Sequence, residues 1–311
     1  MRVYSLSVND EDFLGFSENA DFAEKAENAE NEKIIDLTRA ISFYEITSCN
    51  FVSAPTRYVE ELLWEDKFNA DYLGEVMSTV AKYGATDEFT LKAEYKTNAP
   101  VTPGKIIALG NNYHEHVKEM NHSVPKEPIL FGKWPSCVIG HEDAIVKPAG
   151  IGRVDYEAEL ALLIGSTAKN VTKADAMSHI SGYTCMNDVS AREVQIADIG
   201  NSLPWMASKN YDTFAPMGPC ILLAESVPEP VSIKVGSALN GESRQNGNTS
   251  DFIFDIPTII EYITKTMTLE PGDVITTGTP VGVGPIEPGD IIEITCGGIG
   301  TLSNPVISSD I

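Results

Sequence analysis

The chain has 311 residues, 42% hydrophobic and 22% charged, with a formal charge of −23. That length supports one large or two ordinary domains around a sizeable core. So acidic a chain excludes ordinary phosphate-backbone binding to nucleic acid and repels an anionic membrane, and no apolar run is long enough to span a bilayer.

An anionic substrate would approach against this field, so its site would need local positive charge. The N-terminus meets acidic residues at once and lacks the long apolar segment of a signal peptide, which reads as a cytoplasmic protein. Cys49, Cys137, Cys185, Cys220 and Cys296 lie far apart with no CxxC spacing. They predict free, mostly buried thiols rather than a disulfide framework or a zinc-thiolate site.

In chain order, residues 1–98 read as a small N-terminal α+β domain. Strand-like pieces at 2–8, 13–16 and 33–37 precede helical patterns near 59–63 and 70–83. The polar, acidic stretch 18–32 reads as an exposed insertion. Two prolines and a glycine between Thr97 and Gly104 mark a boundary, and residues 104–311 form the second domain. It opens with a buried strand at 105–110. Helices are expected near 113–120, 173–179, 191–199 and 257–267. Strands are expected near 144–147, 159–164, 180–187, 220–224, 232–239, 273–276 and 290–294, the last two introduced by Pro-Gly-Asp turns. This order favours an α+β, mainly β architecture over βαβ repeats.

Residues 154–165 alternate in period 2, so Asp155, Glu157 and Glu159 point from one face of a strand. Adjacent carboxylates on an otherwise apolar strand repel each other and resist desolvation unless something positive lies between them. A hard divalent cation would serve, since Mg²⁺, Mn²⁺ and Ca²⁺ prefer oxygen ligands. An acidic solvent face on an edge strand fits the alternation equally. His116 and Glu119 sit at i and i+3, either as an oriented general base or as two surface residues. Asp188 ends a strand and is either a helix N-cap or a third oxygen ligand. Arg192 and Gln195 share one face of the following helix. Lys209, in a loop rich in Pro, Gly and aromatic residues, is either solvent-facing or the local positive charge required above. The small residues from Thr276 to Pro285 would let a backbone approach a ligand, but no Walker loop is present.

Five segments occur in one order: Asn112-Tyr113-x-x-His116-x-x-Glu119, Asp155-Tyr156-Glu157-Ala158-Glu159, Asn187-Asp188-Val189-Ser190-Ala191-Arg192, Lys209-Asn210-Tyr211-Asp212-Thr213-Phe214 and Thr277-Gly278-Thr279-Pro280-x-Gly282-Val283-Gly284. Together they resemble the fumarylacetoacetate hydrolase family from about Lys105 to the C-terminus. The resemblance implies a distorted β-roll or sandwich catalytic domain, usually a homodimer, with Mg²⁺ or Mn²⁺ held by Glu157, Glu159 and Asp188. It implies a catalytic dyad of His116 and Glu119 on a lid helix and charge stabilisation by Lys209. Substrate contacts would come from Tyr113, Arg192, Gln195 and Thr279. Glu193, Ser208 and Asn210 depart from the family's usual residues, which spares the chemical groups and bears on substrate choice. Asp155 is left without a role, and His114, His122 and His141 are read as structural.

The expected activity is metal-dependent C–C bond cleavage of a small anionic 2-oxo acid through a stabilised enolate. Acylpyruvate hydrolysis and oxaloacetate-type decarboxylation lead, and isomerisation or tautomerisation of 2-hydroxy-dienedioates follows. The alternative from another class is a non-catalytic metal- or ligand-binding regulator on the same fold.

Overall fold

The computed structural model describes residues 1–18, 33–50, 54–119 and 123–309. The expected insertion lies almost wholly outside the described residues, as do Met120 and His122. Strands dominate, and the fold class is mixed, mainly β.

The organising element is the strand Ala158–Ile164, buried along its whole length. It pairs antiparallel with Ile180–Asn187 on one side and Val274–Thr276 on the other. Both of its faces are covered, which accounts for the apolar residues at every position after Glu159. Leu160, Leu162 and Ile164 pack with Ile292, Ile294 and Leu302 of a second, five-stranded sheet. Ala161 and Leu163 face the other way and pack with Val3, Leu14, Leu37, Leu73 and Val76 of the N-terminal region. Each of these Leu, Ile and Val side chains contributes roughly 1.5–3 kcal/mol on full burial. Glu157 and Glu159 share the Ala161–Leu163 face, but at the end of the strand, and there the site forms.

The N-terminal strand Arg2–Val8 joins the large sheet directly, pairing Arg2 with Leu222 and Val3 with Ile221 of the strand Ala215–Leu223. The sheet, 11-stranded in all, therefore runs across the expected partition at 98/104, and the N-terminal helices cover one of its faces. The first third of the chain supplies strands and a helical layer to a shared core.

Local signals explain most elements. Helix Ala70–Lys82 begins where the Asn69 side chain accepts from Tyr72 N–H, and it buries Leu73, Val76, Met77 and Val80 at helical spacing. The main departure is helix Leu37–Thr47, where the sequence predicted only the end of a strand. Its β-branched and aromatic residues favour strand locally, yet the Asp36 cap and the burial of Leu37, Ala40 and Ile41 stabilise the helix. The expected helix near 173–179 is reduced to the short 3-10 turn Ala176–His179. Among the described residues, Cys137, Cys185, Cys220 and Cys296 are buried free thiols and Cys49 is exposed. No described helix is long and apolar enough to cross a membrane.

Candidate active site and metal centre

The acidic run divides at Glu157. Val154–Tyr156 belongs to a small three-stranded sheet, whereas Ala158–Ile164 belongs to the large one. The junction is fixed by hydrogen bonds. Glu157 N–H donates to Asn187 Oδ1 at 3.0 Å, Asp188 N–H donates to the Glu157 carbonyl at 2.9 Å, and Ala158 N–H donates to Gln245 Oε1 at 3.0 Å. Asp188, which follows strand Ile180–Asn187, is thereby held opposite Glu157. It is not the helix cap: helix Arg192–Gly200 starts after Ala191 and has no side-chain cap. Glu157, Glu159 and Asp188 are 6%, 1% and 1% exposed. One oxygen from each lies within 4.8 Å of the other two. An acidic solvent face is thus excluded.

Cations surround two of the three carboxylates. Lys209, on the one-turn helix Met206–Lys209 rather than in a loop, places Nζ 2.8 Å from Glu157 Oε2 and 2.6 Å from Asp188 Oδ2. Arg192 donates through Nη2 to Glu157 Oε1 and through Nε to Asp155 Oδ2 at 2.8 Å. Asp155, left without a role on sequence grounds, is fully buried and also accepts from Arg153 Nε at 2.6 Å. Its task is to orient Arg192. A second residue missed on sequence grounds is Lys133, at the end of strand Ile129–Lys133. Its buried Nζ donates to the Lys209 carbonyl at 2.6 Å and lies 2.7 Å from Asp188 Oδ1. The latter contact is an ion pair without hydrogen-bond alignment. Only the Gly132-Lys133-Trp134 stretch ending an apolar run could have signalled it.

These contacts set the charge states. Burial acts to raise the Glu157 carboxyl, but Lys209 and Arg192 outweigh it and hold the group far below the ordinary carboxylate range. Burial acts to lower the Lys209 ammonium, but Asp188 and Glu157 raise it, so it stays charged. Glu159 is the exception. Burial, then the neighbouring charges of Asp188 and Glu157, push its carboxyl well above the usual range. Among the described residues it pairs with no cation; it accepts from the Thr276 hydroxyl and from Gly278 N–H at 2.8 Å. A buried carboxylate without a cation, converging with two others, is the donor set a hard divalent ion takes. The residues present fit such an ion.

The centre forms the floor of a cavity of about 250 Å³, small even for a ligand site. His116, Arg192, Gln195, Lys209 and Thr279 line it with the three carboxylates. His116 and Glu119 come together on helix His114–Glu119, with Nδ1 3.2 Å from Glu119 Oε2. The Glu119 carboxylate is anchored in turn by Gly282 N–H, 3.3 Å from both oxygens. Gln195 Oε1 accepts from Arg192 Nη1. The Thr279 hydroxyl donates to the Ala158 carbonyl at 2.9 Å and accepts from Gln245 Nε2 at 2.7 Å. Tyr113, expected beside the substrate, is absent from the cavity lining. It is 2% exposed, and its ring packs edge-on against Phe252 with centroids 4.9 Å apart, so burial against that ring turns it away. Asn112 ties the site together from behind: Nδ2 donates to the Thr277 carbonyl at 2.9 Å and Oδ1 accepts from Phe254 N–H at 2.9 Å.

Known proteins resemble this chain in sequence and in fold. The sequence model of the fumarylacetoacetate hydrolase C-terminal region matches residues 105–307. A mitochondrial oxaloacetate tautomerase of Homo sapiens is 38% identical over 244 residues, covering 75% of this chain and 77% of its own. The crystal structure of 5-carboxymethyl-2-hydroxymuconate delta-isomerase from Mycobacterium smegmatis superposes with a TM-score of 0.71 at 32% identity, covering 100% of both chains. Fumarylpyruvate hydrolase from Pseudomonas aeruginosa, solved with Mn²⁺ and pyruvate, gives a TM-score of 0.64 at 29% identity over 69% of this chain and 92% of that one. The chain belongs to the fumarylacetoacetate hydrolase family.

Proposed function

We propose that the protein is a divalent-metal-dependent enzyme that cleaves a C–C bond in a 2-oxo acid, with acylpyruvate hydrolysis as the reaction. The observation that carries this reading is the pairing, across one small cavity, of three converging buried carboxylates with a His–Glu dyad. Glu157, Glu159 and Asp188 would hold Mg²⁺ or Mn²⁺, which when bound supplies Lewis-acid stabilisation of enolate charge. His116, with Nδ1 engaged by Glu119, takes a proton from water through its other ring nitrogen. The water oxygen bonds to the distal carbonyl carbon, and the C–C bond to the pyruvyl methylene breaks. Its electron pair stays on the pyruvyl part as an enolate, which takes up a proton to give pyruvate beside the released carboxylic acid. Lys209 places a fixed ammonium where that charge develops.

A second reading keeps the same residues and moves only a proton, converting the enol and keto forms of a 2-oxo acid. The human relative named as an oxaloacetate tautomerase supports it. Incubation with Mg²⁺ or Mn²⁺ and acylpyruvates, oxaloacetate or fumarylpyruvate, with enol absorbance and released pyruvate followed separately, tests both. Pyruvate release from an acylpyruvate or fumarylpyruvate supports hydrolysis, pyruvate release from oxaloacetate marks decarboxylation instead, and loss of enol absorbance without pyruvate supports tautomerisation. Absence of any turnover with either metal removes the enzymatic reading and leaves a binding protein.

A further inference from the structure

The walls of the cavity differ sharply from its floor. Above the charged centre lie Leu109, Phe131, Ile196, Ile199 and Trp205, with Asn111 as the polar member of the wall. The change is written along a single helix. Within Arg192–Gly200, Arg192 and Gln195 are buried on the floor, and one turn further on Ile196 and Ile199 follow on the same face. Ile196 and Ile199 are 62% and 49% exposed, large aliphatic side chains at the rim above a charged floor. Across from the helix, Phe131 and Trp205 pack edge to face with centroids 5.4 Å apart, and Phe131 covers Lys209 Nζ at 5.0 Å.

Among the described residues the permanent cations lining the cavity are Arg192 and Lys209. Both already bond to floor carboxylates, Arg192 to Asp155 and Glu157 and Lys209 to Glu157 and Asp188. Lys118 points to solvent beside Glu115. A substrate with its 2-oxo acid head on the floor would extend its other end among aliphatic and aromatic side chains. A second carboxylate there would lose hydration and meet no uncommitted cation among the described lining residues.

We propose that this site selects 2-oxo acids whose distal end is apolar, an alkyl or aryl acyl group, and discriminates against dicarboxylates. The inference rests on the proposed chelating head and adds the identity of the tail.

Oxamates keep that head but resist cleavage, so binding is read without turnover. N-(3-methylbutyl)oxamate and N-(2-carboxyethyl)oxamate match in heavy atoms and branching and differ in the terminal charge. Calorimetry of the full chain with Mg²⁺ or Mn²⁺ should show the alkyl compound binding at least tenfold tighter. Lengthening an N-alkyl tail should tighten binding by about fourfold per methylene until the cavity is filled. Ile199→Arg, at a half-exposed position that tolerates the change, should narrow or reverse the preference. Equal or tighter binding of the carboxylate-ended compound overturns the tail assignment and leaves the head reading intact. Failure of both compounds to bind in the presence of metal overturns the head reading and the tail assignment together.

Discussion

Lys133 offers the sharpest test of how the centre is held. Its side chain is fully buried, with Nζ 2.7 Å from Asp188 Oδ1 and 2.6 Å from the Lys209 carbonyl. Replacing it with methionine keeps the length and apolar stem but removes the charge. Asp188 would retain Lys209 on Oδ2 and lose its partner on Oδ1. Breaking a buried ion pair from one side costs about 3–5 kcal/mol, and the retained lysine places this case near ~3 kcal/mol. For a chain of this size that corresponds to a fall in Tm of roughly 5 °C. The informative measurement is a double-mutant cycle on metal-free protein, comparing Lys133→Met in the natural chain with Lys133→Met in an Asp188→Asn background. The lost bond to the Lys209 carbonyl is common to both arms and cancels, so the difference reports the charge pair. The cost should shrink by about 1 kcal/mol or more once Asp188 is neutral. An equal loss in both backgrounds would refute the pairing and reduce Lys133 to a backbone tether.

Asp188→Ala should weaken Mn²⁺ binding by at least ~100-fold in calorimetry, since it removes one of three carboxylates from a hard-ion set; unchanged affinity would end its role as a ligand. His116→Ala should cut hydrolysis by about 10²–10⁴-fold while leaving Mn²⁺ affinity intact, and a parallel loss of both would mean the histidine serves the metal site instead. At Gly110 an added Cβ would lie 2.8 Å from Trp205 Cζ3. Gly110→Ala should therefore displace the indole and penalise long-tailed substrates more than short ones in kcat/KM; a uniform effect would place Trp205 outside the tail path. His141 accepts from Ser303 N–H through Nδ1 and is partly buried, and burial holds it below its ordinary 6.5. The unfolded chain binds that proton more readily, so the contribution is whole above about pH 6.5 and is lost as pH falls through the lower folded value. Tm measured from pH 7.5 to 5 should drop more for the natural chain than for His141→Gln, and matching profiles would remove His141 as a source.

The candidate site was legible where chemistry coincides with a local period. Alternation alone placed Glu157 and Glu159 on one face, because a strand repeats every two residues whatever its neighbours. It left open whether that face met water. The answer lies in Asp188, Lys209 and Arg192, which approach from 31, 52 and 35 residues away along the chain, as measured from Glu157. Motif order suggested them, but pattern within a window could not bring them together. Asp155 shows the same limit: alternation put it on the face of Glu157 and Glu159, whereas it lies in a separate strand and its carboxylate meets Arg192, 37 residues on. Lys133 carried no period at all. A lysine ending an apolar strand ordinarily turns toward solvent, and only the fold shows that this one turns inward.

The N-terminal third shows a related limit. Its strand Arg2–Val8 was recognised to the residue, yet a strand's sequence does not say which edge it will join. A proline-rich boundary and an acidic tract made a separate unit the natural reading. Pairing with Ala215–Leu223 instead puts the N-terminal helices behind Ala161 and Leu163, on the sheet face that carries Glu157 and Glu159 further along. The N-terminal region thus backs the strand that bears Glu159 and starts directly after Glu157. Whole-chain charge misleads in the same way. A chain at −23 collects Lys133, Arg192 and Lys209 at one buried point, where they offset the carboxylates of Asp155, Glu157 and Asp188. With those cations already paired with floor carboxylates, none of the three is left over for a second carboxylate on the substrate proposed above.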